Sequence, residues 1–274
     1  MSGDDRVSGN AGHERAGVWA RLARATPARI ALGRVGAGLP TSEVLRFTLA
    51  HAQARDAVHT PFEPDRIEAE VRALGFDVCQ VESAASTREA YLRRPDFGRK
   101  LSQAGREALS SFAGNAPDRA IPDLAIVVAD GLSSAAIHRQ AVPFLQAFGP
   151  YLAEHGWRTG PVVIARQARV ALGDEVGGIL RARAVVVLIG ERPGLSSPDS
   201  LGLYLTFAPK VGRSDAERNC ISNVRTEGLS HEHAAFKLAW LLSQAFTRQL
   251  TGVALKDESD LLLIDGRPPP ARIG

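Results

Sequence analysis

Cysteine is scarce: Cys79 and Cys220 are the only two in 274 residues. Two free thiols support neither a disulfide framework nor a zinc site, and they suit a reducing cytosol. No apolar run approaches the roughly 20 residues that cross a bilayer. The opening stretch MSGDDRVSGNAGHERAG has no apolar core, so no secretory signal is expected and a cytoplasmic protein is. Phosphate-binding signals are missing as well. Gly33-Arg-Val-Gly-Ala-Gly38 follows no convincing strand and has no Lys-Ser/Thr ending, which leaves a turn. No G-x-S-x-G surrounds Ser133, whose better role is a helix cap. His231 and His233 are two apart, on different helix faces, and no H-E-x-x-H occurs. These absences leave no catalytic residue and no metal ligand to name.

The formal charge is +3, and the first 60 residues account for it with eight arginines against five acids. The arginines are spread out, without a series of aromatic stacking platforms between them, which argues against nucleic acid and for packing on a neighbouring subunit. A hydrophobic content of 45% and a charged content of 23% are those of an ordinary globular chain.

Residues 1–15 read as a disordered polar tail, and 16–120 as a mostly helical region. Val18, Trp19 and Leu22 suggest a short helix that stops before Pro27. Val44, Leu45, Phe47 and Leu49 give a later helix an apolar side, and Ile67, Val71 and Leu74 form a stripe on the next. Phe76–Val81 is a candidate strand within this region. From 121 to 274 the pattern becomes α/β, with strands expected at Leu124–Ala129, Val162–Ala165, Ala184–Ile189, Leu203–Phe207 and Cys220–Val224. Pro143 is expected to split the helical segment after Ser134 in two, and His231–Leu250 reads as one long amphipathic helix. The fold class implied is α/β: a mainly parallel, Rossmann-like C-terminal sheet with helices on both faces, preceded by the mostly helical N-terminal region.

Ala184–Ile189 is an unbroken, β-branched apolar run, the mark of a strand buried on both faces. Gly190-Glu-Arg-Pro-Gly194 follows it, beyond a strand's carboxyl end, where α/β sheets place their ligands. The plain alternative is a polar turn with a local Glu191–Arg192 pair. Asp174 and Glu175 read as charges at the start of a helix. Val170 reads by itself as core, and Cys220 as a small buried residue.

Three segments change that weighting: ARVALGDEVGGIL from Ala168, VVVLIGERPGL from Val185 and NCISNVR from Asn219. In order and spacing they resemble the small subunit of ethanolamine ammonia-lyase. Gly33–Arg34, LRRPDFGR from Leu92 and DLAIVVADGLSS from Asp123 extend the resemblance over about residues 29–250. The resemblance implies a subunit of an adenosylcobalamin-dependent radical lyase that converts ethanolamine to acetaldehyde and ammonia. It implies cofactor contacts at Val170, Glu191 and Cys220, and a large barrel subunit as the partner that holds the substrate. No D-x-H-x-x-G motif is present, so the cofactor's own benzimidazole is expected to stay on cobalt. Some relatives enter a bacterial microcompartment through an amphipathic N-terminal helix, and the first 15 residues here lack an apolar stripe. Two other classes stay open at this point: a purely structural subunit, and a stand-alone nucleotide-binding α/β protein.

Overall fold

The computed structural model describes residues 18–114 and 121–264, apart from Ala20, Arg24 and Pro27. The disordered tail expected over residues 1–15 lies outside the described residues. Two compact units meet in the sequence between Gln53 and Ala54.

In the first unit, Val18, Trp19 and Arg21 to Ala23 are helical, and Val35 pairs with Gly38 across a turn. Helix α1 (Thr41–His59) begins in this unit and runs past its boundary. Val44, Leu45, Phe47 and Leu49 are all exposed.

In the second unit, α2 (Pro64–Ala73) starts on a proline, a favoured first helical residue, and buries Ile67 and Val71 four residues apart on one face. β1 (Val78–Glu82) follows, then the short helices α3 (Arg88–Arg93) and α4 (Pro95–Gly98), then α5 (Gln103–Gly114). β2 (Leu124–Ala129) leads into α6 (Ser134–Glu154), β3 (Thr159–Arg166), α7 (Leu172–Ile179) and β4 (Ala184–Gly190). β5 (Leu201–Phe207), β6 (Asn219–Val224), α8 (His231–Arg248) and α9 (Ser259–Ile264) complete it. The six strands form one sheet in the order β1-β3-β2-β4-β5-β6. β1, β3, β2 and β4 are parallel, while β5 and β6 each run antiparallel to the strand before them. Only ten residues, without a helix, separate β4 from β5, too few for a parallel crossover.

Both faces of the sheet are covered. Leu124, Ile126 and Val128 join one core with Ile67 of α2, Phe144 of α6 and Leu238 of α8. Ala125, Val127 and Ala129 join the other core with Leu109 of α5 and Leu172 and Val176 of α7. This period-two division is what a strand buried on both faces requires. At Gly173 a Cβ would lie 2.4 Å from Val187 Cγ2, so α7 approaches β4 more closely than any side chain would permit.

Two expectations are corrected. α6 is a single helix with Pro143 and Pro150 inside it, not two pieces. Phe144, Leu145 and Phe148 are buried around Pro143, and that packing outweighs one missing backbone hydrogen bond. β3 begins at Thr159 rather than Val162, because its pairing with β2 shifts register around Pro161, which has no N–H for the ladder. The other strands lie within two residues of their expected bounds.

Candidate functional site

The carboxyl ends of β2, β3 and β4 and the loops that follow them border a cavity of about 450 Å³. Its floor is backbone. Gly131, just beyond β2, has φ +56°, and a Cβ there would fall 2.3 Å from the Gly190 carbonyl oxygen. The Leu132 N–H donates to that carbonyl at 2.9 Å, joining the loops that follow β2 and β4. Only glycine at 131 permits this approach.

A buried carboxylate joins the loop after β3 to this floor. Asp130 Oδ1 accepts from the Ala168 N–H at 3.0 Å, and Arg88 Nη1 donates to the Gly131 carbonyl at 2.8 Å. Burial pushes Asp130 up to about 6, against the Ala168 N–H and the Arg88 charge, which favour the carboxylate. Asp130 therefore fixes the segment that carries Arg169 and Val170 into the cavity wall.

Tyr91 is fully buried, with two guanidinium groups close to its ring. Arg88 lies 4.8 Å and Arg169 4.4 Å from its ring centroid. Its hydroxyl donates to the Ala168 carbonyl at 3.3 Å, and burial pushes the phenol up to about 12. Arg169 lines the cavity, and its Nη2 donates to the Tyr91 carbonyl. Its buried Nε has no hydrogen-bond partner among the described residues.

The three residues singled out from the sequence fall as follows. Val170 and Glu191 line this cavity together. Cys220 is exposed on β6 and pairs in register with Tyr204 of β5, which lines the cavity. Burial raises the Tyr204 phenol above its ordinary range, with the neighbouring Cys220 and Glu191 adding to it. Tyr204 thus connects Cys220 to the cavity wall. Cys220 is not buried, contrary to the small-core-residue alternative; an edge strand shows one face to solvent.

Glu191 forms no pair with Arg192. Its Oε2 accepts from the Ser200 hydroxyl and from the Asn223 N–H at 3.2 Å, so the loop is more than a polar turn with a local ion pair. Asp174 and Glu175 do occupy the first turn of α7, but both reach far along the chain. Asp174 makes a two-pronged pair with Arg218 at 2.6 and 2.7 Å, and Glu175 accepts from Arg106 and the Leu101 N–H. The Asp174–Arg218 pair, with side chains 1% and 2% exposed, anchors the chain two residues before Cys220.

Ser133 caps α6, accepting from the Ala136 N–H at 3.2 Å and donating to the Pro198 carbonyl at 2.9 Å. His138 is engaged elsewhere, accepting from the Glu63 N–H and stacking on Phe62. Among the described residues no group of His, Cys, Asp and Glu could hold a metal ion. Sequence reasoning missed Tyr91, Asp130, Arg169 and Tyr204. A faint signal existed for three of them, which adjoin LRRPDFGR, the end of the β2 run and Val170.

The cavity offers an apolar wall at Leu132, Val170 and Ile189, guanidinium groups at Arg169 and Arg192 and a carboxylate at Glu191. Donors and an acceptor beside apolar surface suit a ligand that carries both apolar faces and polar groups.

Comparison with known proteins gives one family. Residues 16–256 match the model of the ethanolamine ammonia-lyase light chain. An ethanolamine ammonia-lyase small subunit of Xanthomonas campestris pv. campestris is 56% identical over 247 residues, covering 90% of each chain. The protein of that name from Pseudomonas putida W619 is likewise 56% identical over 247 residues, with the same coverage. That from Pseudomonas aeruginosa LESB58 is 53% identical over 251 residues, 92% of this chain and 91% of its own.

Proposed function

The chain belongs to the ethanolamine ammonia-lyase light-chain family, and from that premise we propose that it is the small subunit that holds one side of adenosylcobalamin against a large catalytic subunit. One observation carries the reading: Val170 and Glu191 line a single cavity, with Cys220 beside Tyr204 at its wall. A corrin is a broad disc with apolar faces and a rim of amide arms. Val170, Leu132 and Ile189 would meet the apolar surface. The Glu191 carboxylate would accept from an amide N–H, the Arg169 guanidinium would donate to an amide carbonyl, and Cys220 would border the rim. When bound, the cofactor supplies a cobalt–carbon bond whose homolysis begins radical chemistry on ethanolamine.

This chain's part is to bind, orient and exclude water. It contributes no catalytic acid, base or nucleophile in this reading, and the substrate lies with the large subunit. Each contact alone is modest, about 0.5–1.5 kcal/mol for a neutral hydrogen bond and more where a charge takes part. The exposed apolar side chains of the first unit, with Leu45 at 64% and Leu49 at 60%, support that unit as a docking surface for the large subunit. No helix among the described residues is long and apolar enough to cross a membrane. The two free thiols support a reducing compartment such as the cytoplasm.

The test is co-expression with a large subunit, incubation with cyanocobalamin, desalting and an absorbance spectrum. Wild type should retain the corrin bands, and Glu191→Ala and Cys220→Ala should retain less. Equal retention in all three would favour a purely structural subunit.

A further inference from the structure

Granted that this cavity holds cobalamin, the geometry points to Ser200 as the positioning residue that makes Glu191 a one-oxygen acceptor for a ligand N–H. The Glu191 N–H donates to the Ser200 carbonyl at 3.0 Å, which continues the β4–β5 ladder one step past Gly190 and Leu201. Ser200 is 4% exposed, and its hydroxyl turns back to donate to Glu191 Oε2. The Asn223 N–H, from β6, reaches the same oxygen at 3.2 Å. Asn223 sits in the left-handed region at φ +60°, and its own carbonyl accepts from Leu229 at 2.8 Å, so this donor is itself held in place.

The two carboxylate oxygens are therefore unequal. Oε2 takes two protein donors, while Oε1 has no partner among the described residues. Gly202 makes the room: a Cβ there would lie 2.9 Å from Oε1 and 3.1 Å from Glu191 Cγ. A free glutamate turns easily about its last torsion, which has broad wells. Held at one oxygen, it presents the other without losing that freedom again on binding. The remaining oxygen is acceptor-only, so its ligand group must be an N–H or O–H donor, and a corrin carboxamide supplies N–H. A buried serine could instead serve only its own hydroxyl, with no effect on ligand binding, and a double-mutant cycle separates the two roles.

The assembled two-subunit protein, free of cofactor, is titrated with cyanocobalamin by equilibrium dialysis. Wild type, Ser200→Ala, Glu191→Ala and the double variant are compared, with melting temperatures measured in parallel. Ser200→Ala should weaken binding about fivefold to tenfold. In the Glu191→Ala background the same change should have no effect, because nothing remains to position. Equal weakening by Ser200→Ala in both backgrounds would overturn the proposal, as would no weakening in the wild-type background while Glu191→Ala binds poorly. Unchanged affinity in Glu191→Ala would instead overturn the cobalamin reading of the cavity, and this proposal with it.

Discussion

Two helices that follow one another along the chain treat their apolar side chains in opposite ways. α2 places Ile67 and Val71 four residues apart and buries both completely. α1 carries Val44, Leu45, Phe47 and Leu49 and exposes all four. At 100° per residue, the second set spreads around much of the helix instead of forming one stripe. A single stripe can be covered by a sheet face, but a set spread this widely needs cover from more than one side. The contrast extends to the units that hold these residues. In the second unit the buried carboxylates of Asp174 and Asp130 have partners, Arg218 and the Ala168 N–H. In the first, large apolar groups such as Trp19 stand exposed. The difference separates apolar residues that this chain covers itself from apolar residues that it leaves exposed.

The strongest way to break that contrast is to remove a buried charge partner. Asp174→Ala would leave the buried Arg218 guanidinium with only the exposed Asp215 carboxylate, at 3.4 Å, as a charge partner, and should destabilise the second unit by about 3–5 kcal/mol in urea unfolding. Replacing the pair with packed apolar side chains should cost far less. Next, Ile67→Ala should destabilise by about 2–5 kcal/mol, the usual range for a buried isoleucine. Asp130 gives a pH signature of the same origin. Its folded value of about 6 lies above the ordinary 3.8, so between these values the folded state binds more protons than the unfolded one. The stability it contributes is present below about pH 4 and is lost as pH rises through about 6. Relative to Asp130→Asn, wild type should lose up to about 3 kcal/mol across that window. A flat difference would show that Asp130 ionises as freely folded as unfolded. The smallest effect should be Phe47→Ser in the first unit, within about 0.5 kcal/mol for the isolated chain. The same change should reduce co-purification with a large subunit, and undiminished co-purification would remove this helix from the docking surface.

Runs such as Leu124–Ala129 and Ala184–Ile189 were legible because burial on both faces makes a strand continuously apolar. The α/β class followed from those runs, and they direct attention to the loops that border the candidate cavity. Pro143 misled because a local helix rule carries no knowledge of the packing around Phe144 and Phe148. The partners of Asp174 and Glu175 were invisible for a related reason. They lie 44 positions ahead at Arg218 and 69 behind at Arg106, and no periodicity records such pairs. Val170 and Cys220 came from resemblance alone. Their surroundings, Tyr91 above all, depend on a register between α3 and the loop after β3 that only the folded chain displays.

The most direct measurement uses the thiols. Cys220 is exposed and Cys79 is buried, so alkylation can be followed at one site. The assembled subunits are treated with iodoacetamide with and without bound cyanocobalamin, and modification is mapped by peptide mass spectrometry. The account predicts that bound cobalamin sharply slows modification of Cys220. Equal rates, with the cobalamin still retained, would contradict it.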